Sequence, residues 1–192
     1  DQTLLDQIES PSNLIVHYKD DVPNLIGDDF RNQMYLKLIA DRYVETEWLW
    51  VVDADYLICA PLKFDDFCSD GKPNWFYRPW LDLPEKSWRS GTQSFLGCDI
   101  PYLFMDEPQY VLNRMILRAF QQKVDVKKIL SSILIPSEFI AYGAYAFQCH
   151  SSQYSWRNAS KEDAGSISFR VNQRPPTYFV LSPKLSLADS GS

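Results

Sequence analysis

The chain has 192 residues, of which 45% are hydrophobic and 15% aromatic, so it has enough apolar material for one domain with its own core. That composition excludes an intrinsically disordered protein, and a net charge of −6 without a basic stripe argues against a nucleic-acid-binding protein. No apolar run approaches the ~20 residues of a membrane-spanning helix, and the first residues lack the pattern of a signal peptide.

The first third of the chain alternates between helical and strand-like patterns. Residues 1–10 have apolar positions at helical spacing, and the run NLIVHY, residues 13–18, predicts a short buried strand. The segment DDFRNQMYLKLIADRYV, residues 28–44, predicts a helix that Asp28 or Asp29 caps. Its apolar face is expected to contain Phe30, Met34, Tyr35, Leu38, Ile39 and Tyr43. Residues 48–53 predict a second strand, and this alternation predicts an α/β fold that begins with parallel strands.

The pattern is less regular after Pro61. NWFYRPW, residues 74–80, has the composition of an aromatic loop, and TQSFLGCDIPYLF, residues 92–104, predicts a strand and a turn. EPQYVLNRMILRAFQQK, residues 107–123, predicts a helix. SEFIAYGAYAFQCH, residues 137–150, predicts another, with Ser137 as a possible N-cap.

The fold class predicted from these elements is a single α/β domain over residues 1–182, followed by a flexible tail over residues 183–192. Its sheet is expected to be mixed but mostly parallel, with helices on its faces. The four cysteines have no C-x-x-C spacing and are expected to be reduced thiols in a cytoplasmic protein.

Two aspartates, Asp53 and Asp55, follow the apolar run WLWVV. Residues i and i+2 of a strand face the same side, and ligands of open α/β sheets bind beyond the carboxyl ends of the strands. A half-buried carboxylate is costly unless something pairs with it, and no lysine or arginine follows before Lys63. A divalent cation such as Mn²⁺ or Mg²⁺ would fit, because these ions take oxygen ligands and share them with phosphates.

The run RNQMYLKLIADRYVETEWLWVVDADYLICAPL, residues 31–62, resembles the nucleotide-sugar-binding half of GT-A glycosyltransferases. In that fold a helix precedes a hydrophobic strand that ends in a D-x-D motif, here Asp53-Ala54-Asp55. The resemblance implies a Rossmann-like GT-A domain in which Gln33 and Lys37 face the nucleotide. It continues through SEFIAYGAY, where the acidic residue that opens the helix faces the acceptor in similar sequences, including a poorly characterised transferase-like family; that residue is Glu138.

The implied reaction moves a sugar from a nucleotide-diphosphate sugar, with UDP as the expected nucleotide, to a glycan or another hydroxyl acceptor. The metal bridges the diphosphate and stabilises the charge of the leaving group. If the anomeric centre inverts, a base must accept the proton of the acceptor hydroxyl, and Glu138 is the first candidate. Asp99 and Asp106 are the alternatives.

Three further residues have a functional and a structural interpretation. Metal sites of the resembled fold often take a third protein ligand from late in the chain, which would be His150. Tyr18 ends the first predicted strand and would stack on the nucleobase, and Arg78 would bind phosphate. Ordinary packing or a solvated position is the alternative for each. The resembled fold begins with a strand whereas this chain opens on a helical pattern, so either an upstream strand is missing or the sheet is built differently. We also expect the sequence to be part of a larger chain.

Two other functions remain open from the sequence. A phosphohydrolase also places a D-x-D pair after an apolar strand, where it supplies the nucleophile and the acid/base. A sugar-binding module would keep the fold without turnover, although such a module has no need of a metal on a diphosphate.

Overall fold

The computed structural model describes residues 22, 25, 28–52, 56–58, 64–80, 87–105, 110–159 and 168–170, with the backbone alone at 56–58, 64–65, 87 and 168–170. Its helices α1 to α5 span Asp29–Leu38, Phe64–Phe67, Ser87–Leu96, Arg114–Lys123 and Glu138–Cys149. Short 3₁₀ turns span Ala40–Arg42, Val126–Ser131 and Ser151–Gln153. Strands β1 to β8 span Trp48–Val51, Tyr56–Ile58, Cys68–Ser69, Lys72–Pro79, Tyr102–Leu103, Tyr110–Asn113, Ser155–Asn158 and Ser168–Arg170.

The strands pair in both orientations, which confirms a mixed α/β protein. Strand β4 is parallel to β7 and antiparallel to β3 and β5. Strand β1 is antiparallel to β6, and β2 is antiparallel to β8. Among the strands that the structure describes, the β4–β7 pair is the one parallel pairing, so the predicted mostly parallel sheet is wrong for this part of the chain. The alternation of helix and strand indicated parallel neighbours, but β1 pairs with a strand about sixty residues later, which local pattern does not reveal.

Helix α1 forms where the sequence predicts a helix, but it ends at Leu38, before the predicted end at residue 44, and a 3₁₀ turn follows at Ala40–Arg42. The Asp28 side chain caps the helix by accepting a hydrogen bond from the Arg31 amide at 2.8 Å, and this bond lowers the pKa of Asp28. Buried apolar residues follow on one face: Met34, Tyr35, Leu38 and Ile39. Phe30, which we expected on this face, is 47% exposed, whereas Asn32 in the same first turn is buried.

The middle of the chain differs from the sequence prediction in three places. Residues 74–80, expected to form a loop, lie mostly in strand β4, and the expected strand at residues 92–104 begins instead inside helix α3. The helix expected at residues 107–123 starts only at Arg114, after strand β6. Asn113 separates the two elements, because its side-chain oxygen accepts hydrogen bonds from the amides of Met115 and Ile116 at 2.9 and 3.1 Å.

Helix α5, which the sequence predicts correctly, lies in the centre of an aromatic core. Trp75 of β4 is 1% exposed, and its ring centroid lies 5.4 Å from that of Tyr142 and 5.5 Å from that of Tyr154. The Trp75 indole N–H donates to the Phe104 carbonyl at 3.0 Å. Gly143 allows this close packing, because a Cβ there would lie 2.5 Å from Cβ of Phe104.

Two buried tyrosines, Tyr142 of α5 and Tyr154 after the 3₁₀ turn Ser151–Gln153, are hydrogen-bonded to strand β6. The amide of Asn113 donates to the hydroxyl oxygens of Tyr142 and Tyr154, at 2.9 and 3.1 Å, and those oxygens lie 2.7 Å apart. The Tyr154 hydroxyl donates onward to the Val111 carbonyl at 3.1 Å. Burial raises the pKa of both phenols, because the core disfavours their ionised form.

Cys98 and Cys149, both exposed, carry free thiols. In the ranges given above, no helix has both the length and the apolar character that crossing a membrane requires.

Gly143→Ala is expected to lower the free energy of unfolding by about 1 to 3 kcal/mol, because the added methyl group overlaps Phe104. The better helix propensity of alanine offsets only about 1 kcal/mol of this strain. Urea unfolding followed by circular dichroism measures the change. Ala144→Ser, one residue further at a half-buried position, is the control, and an equal loss in both variants would contradict the packing argument.

The tyrosine pair predicts a loss of stability at alkaline pH. The folded-state pKa of each phenol lies above its ordinary value of 10, so its contribution is complete below about pH 10 and declines as the pH rises. The expected slope is about 1.4 kcal/mol per pH unit for each tyrosine. Urea unfolding from about pH 9 to about pH 11 tests this. The double variant Tyr142→Phe/Tyr154→Phe should have a shallower slope, and an unchanged slope would contradict the assignment of the pH dependence to these two phenols.

Candidate functional site

The carboxyl end of strand β1 lies beside the first turn of helix α5. Val51, the last residue of β1, is paired with Tyr110 of β6. The Tyr110 ring is stacked on that of Phe139, with centroids 3.6 Å apart and planes 12° apart. Phe139 is the second residue of α5, so β1 reaches its end, just before the D-A-D triplet, on the side of the core where α5 begins.

A buried ion pair joins α1 to this first turn of α5. Lys37 Nζ lies 2.8 Å from Glu138 Oε1, although the two residues are 101 positions apart in the sequence. The Lys37 and Glu138 side chains are only 13% and 7% exposed. The ammonium also lies 4.6 Å from the centroid of the Phe139 ring, a cation–π distance. Two residues that the sequence analysis selected for different roles are therefore in direct contact.

Helix α3 holds the segment that enters α5. The Ser137 side chain caps α5 by accepting from the Ile140 amide at 3.3 Å, which confirms the predicted N-cap. The Ser137 amide donates to the hydroxyl of Thr92, a fully buried residue of α3, at 2.9 Å. One residue earlier, a Cβ at Gly91 would lie 2.3 Å from the Ile135 carbonyl oxygen. Neither α3 residue was predicted from sequence to support the site, because residues 92–104 predicted a strand and a turn; the small residue pair Gly91-Thr92 was the available signal.

His150 lies at the other end of α5. It is the C-cap of the helix, its amide donates to the Ala146 carbonyl at 2.8 Å, and its ring centroid is 5.5 Å from that of Tyr145. Since α5 has 12 residues, a rise of 1.5 Å per residue separates His150 from Glu138 by about 18 Å along the axis. A base at Glu138 and a metal ligand at His150 cannot serve one reacting centre, so the two predictions exclude each other.

Three further predicted site residues, Gln33, Arg78 and Asp99, lie on or after three different elements of the fold. Gln33 is exposed on α1, one turn before Lys37 and on the same face. Arg78 is half-buried on β4, in register with Leu103 of β5. Asp99 is 78% exposed after α3, where its carboxylate accepts from the Gln93 side chain at 2.5 Å.

Tyr18, Asp53, Asp55 and Asp106 lie outside the residues that the structure describes. Within the described part of the chain, no group of three or more histidine, cysteine, aspartate or glutamate residues is arranged to hold a metal ion. The metal site at Asp53 and Asp55 therefore stays a prediction from sequence.

Comparison of the chain with protein-family models, with curated proteins and with solved structures gave no match.

The Lys37–Glu138 pair is expected to stabilise the junction of α1 and α5. Lys37→Met and Glu138→Gln should each lower the free energy of unfolding by about 3 to 5 kcal/mol, because each removes the opposite charge from a buried partner. The double variant Lys37→Met/Glu138→Gln should lose less than the sum of the single losses, with a coupling energy of about 1 to 3 kcal/mol. Denaturant unfolding of the four proteins measures this cycle.

Gln33→Met is the control for that cycle, because Gln33 is exposed on the same helix. It should change the unfolding free energy by no more than about 0.5 kcal/mol. Additive losses in the double variant would show that the contact between Lys37 and Glu138 contributes nothing to stability.

Proposed function

We propose that the protein is a metal-dependent glycosyltransferase. It would transfer a sugar from a nucleotide-diphosphate sugar, with UDP as the expected nucleotide, to a glycan or another hydroxyl acceptor. One observation carries the proposal: β1, the strand that leads into Asp53-Ala54-Asp55, ends beside the turn of α5 that presents Glu138 with Lys37. The two segments that carry the resemblance to GT-A enzymes thus meet at one corner of the fold.

The chain length limits how far the acidic pair can be from this corner. Asp53 and Asp55 follow Val51 by two and four residues, a reach of at most about 7 and about 14 Å. Both residues fit a divalent cation by their chemistry, because carboxylates are the hard oxygen donors that Mn²⁺ and Mg²⁺ prefer. When bound, such a cation would supply positive charge to the departing diphosphate.

Lys37 and Glu138 have separate roles in the proposed reaction. The Lys37 ammonium compensates for the burial of the Glu138 carboxylate, which would otherwise be costly. In an inverting transfer, Glu138 accepts the proton of the acceptor hydroxyl as that oxygen attacks the anomeric carbon. Gln33, exposed one turn before Lys37, is placed to hydrogen-bond the nucleotide part of the donor.

His150 has no role in this proposal, because it lies about 18 Å from Glu138 along α5. The third ligand that the resemblance implied must come from another residue, from water or from the donor diphosphate.

One observation favours a second candidate, a nucleotide-sugar-binding module without turnover. The Glu138 side chain is only 7% exposed and forms an ion pair with Lys37. A purely structural ion pair would have the same burial and the same contact. A phosphohydrolase remains an alternative that only the D-x-D pattern supports. Hydrolysis of a generic aryl phosphate would identify that activity.

Calorimetric titration with UDP, with and without Mn²⁺, tests the donor site. We expect UDP to bind the parent protein in the presence of Mn²⁺, and Asp55→Asn to weaken that binding by at least about tenfold, because it removes a metal ligand. Asp99→Asn, at an exposed carboxylate after α3, is the matched control and should bind UDP as the parent protein does. Metal-dependent binding that Asp55→Asn leaves unchanged would contradict the proposal.

Slow hydrolysis of a UDP-sugar, the reaction with water as acceptor, separates the enzyme from the binding module. The parent protein should release UDP, whereas Glu138→Gln should retain Mn²⁺-dependent UDP binding and lose about 10²-fold or more of the hydrolysis rate. Binding with no hydrolysis of any UDP-sugar would favour the module.

A further inference from the structure

The loop between the 3₁₀ turn Val126–Ser131 and helix α5 exposes two adjacent aliphatic side chains. Ile133 is 95% exposed and Leu134 is 50% exposed. On both sides of them the chain is anchored: Ile129 and Leu130 are buried in the core, and Ile135 packs against it. The exposure is therefore a property of two residues at the tip of a well-anchored loop.

Helix α1 is hydrogen-bonded to this loop, and its first turn also exposes an apolar side chain. The Arg31 guanidinium donates to the Ser132 carbonyl from Nη2 at 2.9 Å and from Nε at 3.3 Å. These bonds connect the first turn of α1 to the residue just before Ile133. Phe30, the neighbour of Arg31 in the sequence, is 47% exposed. We refer to Phe30, Lys127, Lys128, Ile133 and Leu134 together as the apolar tip.

The charge of this segment differs from that of the chain as a whole. The chain has a net charge of −6, whereas VKKILSSIL, residues 126–134, has two lysines and no acidic residue. Lys127 and Lys128 are both exposed. Three aspartates lie near this segment: Asp28, which is paired with Arg31, and Asp29 and Asp125. The tip itself therefore presents positive charge next to aliphatic side chains.

We propose that the apolar tip docks the protein onto an anionic phospholipid surface. Lysines at headgroup level, with leucine and phenylalanine reaching the acyl chains, are the combination that binds proteins to the membrane interface. A protein partner fits less well, because a stable interface needs about 800 Å² from each side, whereas the tip exposes only three apolar side chains, Phe30, Ile133 and Leu134. A few exposed apolar side chains beside lysines suit a deformable apolar medium better.

The proposal stands independently of the proposed glycosyl transfer. The apolar tip is close to the candidate site in the sequence, because Leu134 precedes Glu138 by only four residues. Docking through the tip would hold the first turn of α5 close to the lipid surface.

Sedimentation with vesicles tests the proposal on the whole chain. The parent protein should sediment with vesicles of phosphatidylcholine and phosphatidylserine, and less with phosphatidylcholine alone, because the lysines attract anionic headgroups. Ile133→Asp/Leu134→Asp should lower the apparent binding constant by about tenfold or more. Lys127→Gln/Lys128→Gln should lower it about tenfold on the anionic vesicles and little on the neutral ones.

Met115→Asp is the matched control, because Met115 is a 75% exposed apolar residue at the opposite end of α4 from the 3₁₀ turn. It should bind vesicles as the parent protein does. Circular dichroism should show that all variants are folded, since every substituted residue is exposed. Failure of the parent protein to sediment with anionic vesicles, or an equal loss with Met115→Asp, would overturn the proposal. A dimer in solution that Ile133→Asp/Leu134→Asp dissociates would also overturn it and assign the tip to a second copy of the chain.

Discussion

The burial of Glu138 at the start of α5 is the constraint on which the surrounding structure depends. A carboxylate that is 7% exposed beside an aromatic core needs an opposite charge, and α1 supplies it from Lys37 in its last turn. The same turn of α5 stacks Phe139 on Tyr110, which fixes strand β6 and, through the pairing of Tyr110 with Val51, the end of β1. Electrostatics and packing thus bring α1, β1, β6 and α5 to one corner.

The elements that were predictable from sequence are those whose signals are local. Asp28 and Ser137 lie at the starts of two helices, and each makes the capping hydrogen bond that its residue type suggests. The boundary of β6 and α4 was not predictable in this way, since the apolar pattern continues through Asn113, and a cap is recognised only where a strand is known to end. Strand direction was missed for another reason: β1 is paired with a partner that lies far along the chain.

The contacts of the candidate site were also not predictable from local sequence signals. Lys37 and Glu138 were selected separately from sequence, but their contact depends on how α1 packs on α5, across 101 residues. His150 shows the converse case. Its residue type and its late place in the sequence made it a possible metal ligand by resemblance, whereas its position at the C-terminus of a 12-residue helix places it far from Glu138. Once a helix is known, the number of residues between two side chains gives their separation along its axis, because the rise per residue is fixed. This separation decides whether the two can belong to one site.

The segment between α4 and α5 combines two environments within a few residues. Ile129, Leu130 and Pro136 are buried, and Gly91 and Thr92 of α3 hold the chain where it enters α5. Ile133, between these anchors, is the most exposed large apolar side chain among the residues described. Because both ends of the loop are fixed, contact at Ile133 would be transmitted to the start of α5 with little intervening flexibility.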